Sequence, residues 1–284
     1  MNKIFVFLVS LVISAITYAD NNNTEEVKIM NSKRSLLMEV REGDYIHPGD
    51  TEAIDFVLKK ITKINSLKFG NTLDVGSSYG GTAHYLFKKG FKKIWGIDID
   101  SNSVEYATEK YSNIKFMNID ALDVTRNFRK NFFNFICMFN SIYAIEDKGL
   151  LLKNLATIAK RGAILVVFDY SKIQGLQESF DKKHKSKKST MKDLAGKDMN
   201  LLDIDSFYKN LGTAHWKLLD SIDITAEYIE WYEDFLAKIK DRRPKLQNKY
   251  DVHDIDAVEN LFSKILYKLK NKELGGRLII AEKI

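Results

Sequence analysis

The chain has only one cysteine and two prolines among its 284 residues. A single cysteine excludes an intramolecular disulfide and a cysteine-rich metal site, and we predict no metal ligands elsewhere. Cys137 lies in the apolar run FFNFICMFN, so we expect it to be a small buried residue of the core.

The chain also lacks a strong charge imbalance. Its 44 basic and 38 acidic residues give a formal net charge of +6, which does not by itself indicate nucleic-acid binding. Five lysines are concentrated in the run KKHKSKK, Lys182–Lys188. This run predicts either a solvated loop or a docking surface for an anionic partner.

The N-terminal apolar stretch is too short to span a bilayer comfortably. Ile4–Ile16 contains 13 residues, whereas a spanning helix needs about 20. Lys3 precedes the stretch and Thr17-Tyr18-Ala19 resembles a cleavage site, so we predict a signal peptide over residues 1–19 and export to the periplasm or the medium. An uncleaved membrane anchor and a buried helix are the alternatives. Residues 20–42 are predicted to form a polar linker.

From residue 43 onward the sequence alternates between strand and helix patterns. An apolar stripe at helical spacing, Ile54, Val57, Leu58, Ile61 and Ile64, follows Asp50 and Thr51, either of which can cap a helix. Further strands are expected at Asn71–Val75, Lys93–Ile97, Ile114–Asn118, Phe132–Phe139 and Ala163–Asp169, and helices at Gly81–Lys89, Ser103–Tyr111 and Lys148–Lys160. Such alternation predicts a parallel sheet with right-handed crossovers and ligands at the carboxyl ends of its strands.

The tail departs from this simple alternation. Residues 171–200 form a lysine-rich rim segment, and strand-like stretches follow at Trp216–Ile224 and Arg277–Ile284. Residues 225–271, between these two stretches, are rich in helical patterns. We therefore predict one α/β domain over residues 43–284, with a doubly wound, mostly parallel sheet of seven strands and a helical insertion before the last strand.

A glycine-rich loop, LDVGSSYGG at Leu73–Gly81, joins the first strand to the next helix. Its spacing does not fit the G-x-G-x-x-G pattern that seats a pyrophosphate on a helix N-terminus. Asp74, two residues before Gly76, is unfavourable beside a pyrophosphate but suits a cofactor with an ammonium and a sulfonium group. A strand-to-helix turn without a cofactor is the alternative.

A second acidic residue, Asp98, closes the strand-like run IWGID. A carboxylate at this position can accept hydrogen bonds from both hydroxyls of a ribose. The alternative role is a helix cap, which Asp100 or Ser101 can equally fill.

The glycine loop resembles the first motif of the class I S-adenosylmethionine-dependent methyltransferases, roughly hydrophobic-Asp-x-Gly-x-Gly-x-Gly. The chain departs from this motif at Ser78, where the family has its middle glycine. The resemblance implies a Rossmann-like methyltransferase fold with S-adenosylmethionine as cofactor, and it gives the acidic residue that closes the third strand a role at the adenine. The cofactor residues predicted at the first three strand ends are Asp74, Gly76, Ser78, Gly80, Asp98, Ile99, Asp120 and Ala121.

The fourth strand ends in FNSIY, which places Asn140 at its tip and Tyr143 just beyond. Methyltransferases of adenine or glutamine have Asp or Asn, two prolines and an aromatic residue here. Ser141 and Ile142 stand in place of the prolines. Nucleic-acid and glutamine methylation are therefore disfavoured, while Asn140 remains a candidate for the cofactor site.

Several segments resemble the phosphoethanolamine and the glycine, sarcosine and dimethylglycine N-methyltransferases. They are GDYIHPGD near residue 45, the pair Asp169-Tyr170, the insertion with Trp231 and Tyr232, and the ending GGRLIIAEK. The resemblance implies that Tyr45 and Ile46 lie over the cofactor and that Tyr170 helps to hold the substrate. The histidine and tyrosine pair of the phosphoethanolamine enzymes is absent, since Tyr143 and Ala144 occupy the nearest positions to the histidine.

These observations predict an enzyme that methylates a small molecule, at an amine nitrogen, and that acts as a monomer. His47, Tyr143 and Tyr170 are the candidates for positioning the acceptor or removing its proton, although a structural hydrogen bond is the alternative role of His47. Tyr228, Trp231 and Tyr232 are expected either to pack in the core or to enclose a cationic amine. The alternative functions are a non-catalytic cofactor-binding protein and an exported methyltransferase of a macromolecule.

Overall fold

The computed structural model describes residues 32–64, 70–173 and 198–284. The predicted signal peptide at 1–19, the first part of the linker and the lysine run Lys182–Lys188 lie outside these residues. No helix in the described ranges is both long enough and apolar enough to cross a membrane.

Seven strands form one sheet in the order β3-β2-β1-β4-β5-β7-β6. They are β1 Asn71–Val75, β2 Lys93–Asp98, β3 Lys115–Asn118, β4 Phe133–Phe139, β5 Ala159–Ser171, β6 Trp216–Asp223 and β7 Gly275–Lys283. Strands β1 to β5 are parallel, whereas β7 runs antiparallel between β5 and β6. The chain winds outward from β1 to β3 and then returns to β4, so the order reverses between β1 and β4. The predicted doubly wound fold is confirmed, and ligands are expected outside this reversal point.

Helices cover both faces of the sheet. In chain order they are α1 at residues 32–41, α2 Asp50–Ile64, α3 Gly81–Lys88, α4 Ser101–Lys110, α5 Val124–Asn127, α6 Lys148–Ile158, α7 Ile204–Thr213, α8 Thr225–Leu246 and α9 Val252–Lys270. Strand β5 shows why two layers form. Phe168 and Val166 belong to the core beneath α1 to α4, α8 and α9, while Leu165 and Val167 belong to the core beneath α6 and α7. Because both faces are buried there, residues 163–168 of the strand form a continuous apolar run.

Helix α1 corrects the prediction of a polar linker over residues 20–42, which is wrong for residues 32–41. The helix is amphipathic, with Leu36, Leu37 and Val40 fully buried. Charged residues surround this short apolar stripe in SKRSLLMEVR, and the sequence of the segment therefore looks polar. Arg34 of α1 pairs with Asp100 at the start of α4, and Arg242 of α8 donates to the Val40 carbonyl oxygen at 3.3 Å. Helix α1 thus bridges the β2 side of the domain and the helical insertion.

The insertion predicted at 225–271 is confirmed as the helix pair α8 and α9, which lies between β6 and β7. Aromatic rings join the two helices, since Phe235 and Phe262 have centroids 4.9 Å apart. Helix α7, which packs against α6 and β6, was not among the predicted elements.

Candidate active site

The loop between β1 and α3 turns sharply across the end of β2. The backbone N–H groups of Gly76 and Ser77 both donate to the Ile97 carbonyl oxygen, at 2.8 and 2.9 Å. Gly76 and Gly80 have φ angles of +75° and +83°, a region that side chains disfavour. A Cβ at Gly76 would overlap the side chain of Ser141 after β4. Glycine is therefore required where this loop meets the end of β4.

Ser78, where the family motif has glycine, adopts the same left-handed conformation with φ of +45°. Its backbone N–H donates to Asp98 Oδ2 at 2.8 Å. Because the backbone N–H of Ser78 makes this contact, the substitution keeps the path of the loop at the cost of local strain.

The Asp98 carboxylate is held by two backbone N–H groups, because Oδ1 also accepts from the N–H of Asp100 at 2.9 Å. Burial raises its pKa, and the two amide hydrogen bonds oppose that rise. A carboxylate oxygen has a second lone pair, so each oxygen can still accept a ligand hydroxyl. This geometry suits the predicted contact with a ribose.

Three buried polar atoms of β1, the glycine loop and the end of β4 have no hydrogen-bond partner in the described structure. They are Asp74 Oδ2, Ser77 Oγ and Asn140 Nδ2. Burial, followed by the nearby Asp98, raises the pKa of the Asp74 carboxyl to about 7. Unpartnered buried groups are rare in folded proteins, and these three could bind a ligand with a cationic group and hydrogen-bonding atoms. The site therefore fits S-adenosylmethionine, which carries an ammonium group, a carboxylate and ribose hydroxyls.

The predicted adenine end of the site lies at the tips of β2 and β3. Ile99 is 72% exposed next to Asp98 and offers apolar surface there. Asp120 is exposed and caps a 3-10 turn that begins at Ala121, since its Oδ1 accepts from the N–H of Leu122 at 2.8 Å. The adenine contacts of Asp120 and Ala121 stay predictions.

The segment between α1 and α2, residues 42–49, covers the start of α3 and is called the covering segment below. The carboxylate of Asp44 accepts hydrogen bonds from the hydroxyls of Tyr106 and Tyr111. A Cβ on Gly81 would overlap the Asp44 backbone and meet the Tyr45 ring at 3.1 Å. Burial raises the pKa of Tyr45 to about 12, so its hydroxyl is protonated at neutral pH. Tyr45 therefore lies beside the start of α3, next to the glycine loop. The cofactor contacts of Tyr45 and Ile46 stay predictions.

His47 occupies a buried position in the covering segment, and both its ring nitrogens are engaged. Nδ1 lies 3.0 Å from the Pro48 carbonyl oxygen and Nε2 lies 3.1 Å from Thr82 Oγ1. A carbonyl oxygen only accepts, so Nδ1 carries the proton and Nε2 accepts from Thr82. Burial lowers the pKa of His47 to about 4, which keeps the ring neutral. The geometry favours the structural role of His47 over the predicted catalytic one.

Tyrosines line the ends of β4 and β5 on the side of α8. The hydroxyl of Tyr228 donates to Asn140 Oδ1 at 3.0 Å, and the hydroxyls of Tyr170 and Tyr232 form a hydrogen bond. The ring of Tyr143 has its centroid 6.0 Å from that of Tyr170. Burial raises the pKa values of Tyr170 and Tyr228 well above the ordinary range. These hydroxyls are therefore neutral hydrogen-bonding groups, and they are poor bases at neutral pH.

Comparison with known protein families assigns the chain to one of them. The family described as "Methyltransferase domain" matches residues 68–235, more than half of the sequence. The chain belongs to this family. The match confirms the resemblance to class I methyltransferases that the glycine loop predicted.

Relatives within the family are distant in sequence. The chain is 24% identical over 242 residues to phosphoethanolamine N-methyltransferase 1 of Zea mays, a match that covers 84% of this chain and 46% of that protein. It is 26% identical over 229 residues to phosphoethanolamine N-methyltransferase of Plasmodium falciparum, with 72% and 84% covered. The crystal structure of phosphoethanolamine N-methyltransferase 2 of Haemonchus contortus superposes with a TM-score of 0.71 at 17% identity, covering 87% of this chain and 56% of that one. The chain thus spans about half the length of the Zea mays and Haemonchus relatives, and the structural match confirms the methyltransferase fold.

In this methyltransferase-family chain the structure brings most of the predicted residues to one edge of the sheet. Two residues of the site were not predicted as members. Ser77, with its unpartnered hydroxyl, lies inside the glycine loop, and Ser141 donates to the Val75 carbonyl oxygen at 2.6 Å. The sequence signal for Ser77 was its position as a polar residue between two residues of the motif. Ser141 was noted only as a missing proline, because its contact with Gly76 depends on how the strands pair.

Proposed function

We propose that this chain transfers a methyl group from S-adenosylmethionine to the nitrogen of a small amine. The observation that carries the proposal is the set of unpartnered buried atoms on Asp74, Ser77 and Asn140, together with the amide-held carboxylate of Asp98 at the end of β2. The Haemonchus relative was crystallised with phosphomonomethylethanolamine and S-adenosylhomocysteine, which supports an amine acceptor and this cofactor.

The residues of the glycine loop and the strand ends would bind and orient the cofactor. Asp74 would attract the ammonium group, and Asp98 would hold the ribose hydroxyls, since its carboxylate is already fixed by two backbone N–H groups. When bound, the cofactor would supply a methyl group on a sulfonium, whose sulfur leaves as a neutral thioether when the carbon–sulfur bond breaks. The protein therefore needs chiefly to align the acceptor and exclude water.

The acceptor amine would lie between the loop after β4 and the tyrosines of β5 and α8. Asn140 and Tyr170 supply polar atoms there, while Phe168 and Tyr228 are fully buried and exclude water. An amine attacks only as the neutral base, and a desolvated aromatic surrounding lowers the pKa of an ammonium group. The site can thus favour the reactive form of the amine without a dedicated base.

Calorimetry with S-adenosylhomocysteine tests the cofactor half of the proposal. Asp98→Asn should weaken binding by about 10- to 100-fold, because hydrogen bonds to a charged group contribute about 1.5–3 kcal/mol. Asp123→Asn is the matched control, since that carboxylate is paired with Arg126 on the surface nearby, at 3.0 Å. Absence of binding by the wild type, or equal affinities of the two variants, would contradict the proposal.

Transfer of a labelled methyl group tests the acceptor half. The acceptors to compare are phosphoethanolamine, ethanolamine, glycine, sarcosine and dimethylglycine. We expect turnover with at least one of them and product labelled at nitrogen. Binding of S-adenosylhomocysteine without transfer to any of these amines would refute N-methylation of this substrate class.

Export and an anionic partner for Lys182–Lys188 stay proposals of their own. The mature N-terminus and the compartment in which the protein is found test the signal peptide. Finding Met1 in cytosolic material would reject it.

A further inference from the structure

The Asp169 side chain near the end of β5 is fully buried, and both of its oxygens accept hydrogen bonds from backbone donors. Its Oδ1 accepts from the N–H of Tyr170 at 2.7 Å. Its Oδ2 accepts from the N–H groups of Ile142 and Tyr143 at 2.8 and 3.3 Å. One carboxylate thus ties the end of β5 to the loop that follows β4.

That loop joins the two halves of the candidate active site. It begins at Asn140, whose Oδ1 accepts from Tyr228, and it continues through Ser141 to the 3-10 turn Ile142–Ala144. Ser141 donates to the carbonyl oxygen of β1 at Val75 and packs against the glycine loop at Gly76. A shift of this loop would therefore move the acceptor side relative to the cofactor side.

Asp169 forms no ion pair with any residue that the structure describes. Lys148 of α6 is the cation that acts on it, and Arg277, opposite in β7, lies 3.7 Å from Asp223 instead. The Asp169 charge acts on Tyr228 and Tyr232 of α8, and Tyr143 of the loop donates its backbone N–H to it. Burial raises the pKa of Asp169 to about 7, and burial likewise lowers that of Lys148 to about 8. Three backbone donors favour the ionised form against this cost of burial.

We propose that the Asp169 carboxylate is a positioning residue, which fixes the loop from Asn140 to Tyr143 so that the acceptor amine is aligned with the methyl donor. This inference rests on the proposed function. The charge matters as well as the shape, because an Asn side chain would direct an NH2 group toward one of the two sets of backbone donors.

The test measures kcat at saturating donor and acceptor, together with the Kd of S-adenosylhomocysteine. Asp169→Asn should lower kcat by on the order of 10²-fold, as expected for a small misalignment of reacting groups, and should change Kd by less than about threefold. Asp147→Asn is the matched control, since that exposed carboxylate caps α6 by accepting from the N–H of Leu150 at 2.8 Å. Circular dichroism and a cooperative thermal transition establish that each variant folds.

The pH profile separates positioning from a general structural role. Wild-type kcat should fall as the pH drops through about 7, because protonated Asp169 loses acceptor capacity toward the loop. The Asp169→Asn variant should lack this component and keep only the fall that protonation of the acceptor amine causes.

The outcomes are distinguishable. Wild-type turnover with kcat unchanged in Asp169→Asn, or equally reduced in Asp147→Asn, would overturn the inference alone. A parallel loss of cofactor affinity would assign Asp169 a structural role and also overturn it. If Asp169→Asn does not fold, a wild-type kcat that is constant through pH 7 would overturn the inference without any variant. Failure of the wild type to methylate any of the amines would refute the proposed function and this inference with it.

Discussion

Replacing Gly76 with alanine tests whether the glycine loop and the loop after β4 form one packed unit. Gly76 has φ of +75°, where an L-residue costs about 1–2 kcal/mol. The new Cβ would also overlap the Cβ of Ser141, and forcing an extra methyl group into a packed contact costs about 1–3 kcal/mol. We therefore expect Gly76→Ala to lower the free energy of unfolding by about 2–5 kcal/mol, measured by chemical denaturation.

A matched control separates the two contributions. Gly162 has φ of +79°, and a Cβ there would meet only the end of the Glu282 side chain, at 3.9 Å. Gly162→Ala should therefore show the backbone cost alone, about 1–2 kcal/mol. The double variant Gly76→Ala, Ser141→Gly should relieve the clash and recover the stability that the clash costs. A double-mutant cycle corrects for the lost hydroxyl of Ser141. Equal destabilisation by the two alanine variants, with no coupling in the cycle, would refute the proposed close packing.

Four further predictions concern the same edge of the sheet. Because burial raises the pKa of Asp74 to about 7, the affinity for S-adenosylhomocysteine should fall by up to about tenfold per pH unit below that value, and calorimetry should find no such slope in Asp74→Asn. In the free protein the folded pKa of Asp74 exceeds the unfolded one, so denaturant midpoints should fall as the pH rises from about 4 to about 7, less so in Asp74→Asn. Ser78→Gly should relieve the left-handed strain and stabilise the fold by up to about 1 kcal/mol, after subtracting the greater entropy of glycine in the unfolded chain. A loss of stability would show that the Ser78 side chain makes a needed contact. Thr82→Val should leave His47 Nε2 buried without a donor and lower the free energy of unfolding by about 1–3 kcal/mol. It should change kcat by less than about threefold. A much larger loss of kcat would restore His47 as a catalytic candidate.

The cofactor side could be predicted from the sequence because its residues are local. Asp74, Gly76 and Gly80 lie within one loop, and Asp98 follows the next strand, so strand order alone brings them together. The strands themselves were predicted within a few residues, since each buried strand is a distinct apolar run.

The acceptor side could not be predicted in the same way, because its contacts join segments far apart in the chain. Tyr228 reaches Asn140 across 88 positions, and Tyr170 reaches Tyr232 across 62. Helical spacing in the insertion fits core packing and an acceptor site equally well. Helix α1 was missed for a related reason, since three buried residues among charged neighbours form a helix only when a core is present to cover them.

Ser78 shows how a departure from a family motif can leave the site intact. The sequence marks Ser78 as a defect because the family has glycine there, and glycine adopts positive φ without strain. The structure shows that the loop needs the left-handed backbone at this position and the N–H that bonds Asp98, and serine supplies both. Part of the strain is offset by a hydrogen bond to a charged, amide-held carboxylate. A substitution that keeps the backbone in place but removes the carboxylate, such as Asp98→Ala, should therefore damage the cofactor site more than the loss of the middle glycine does.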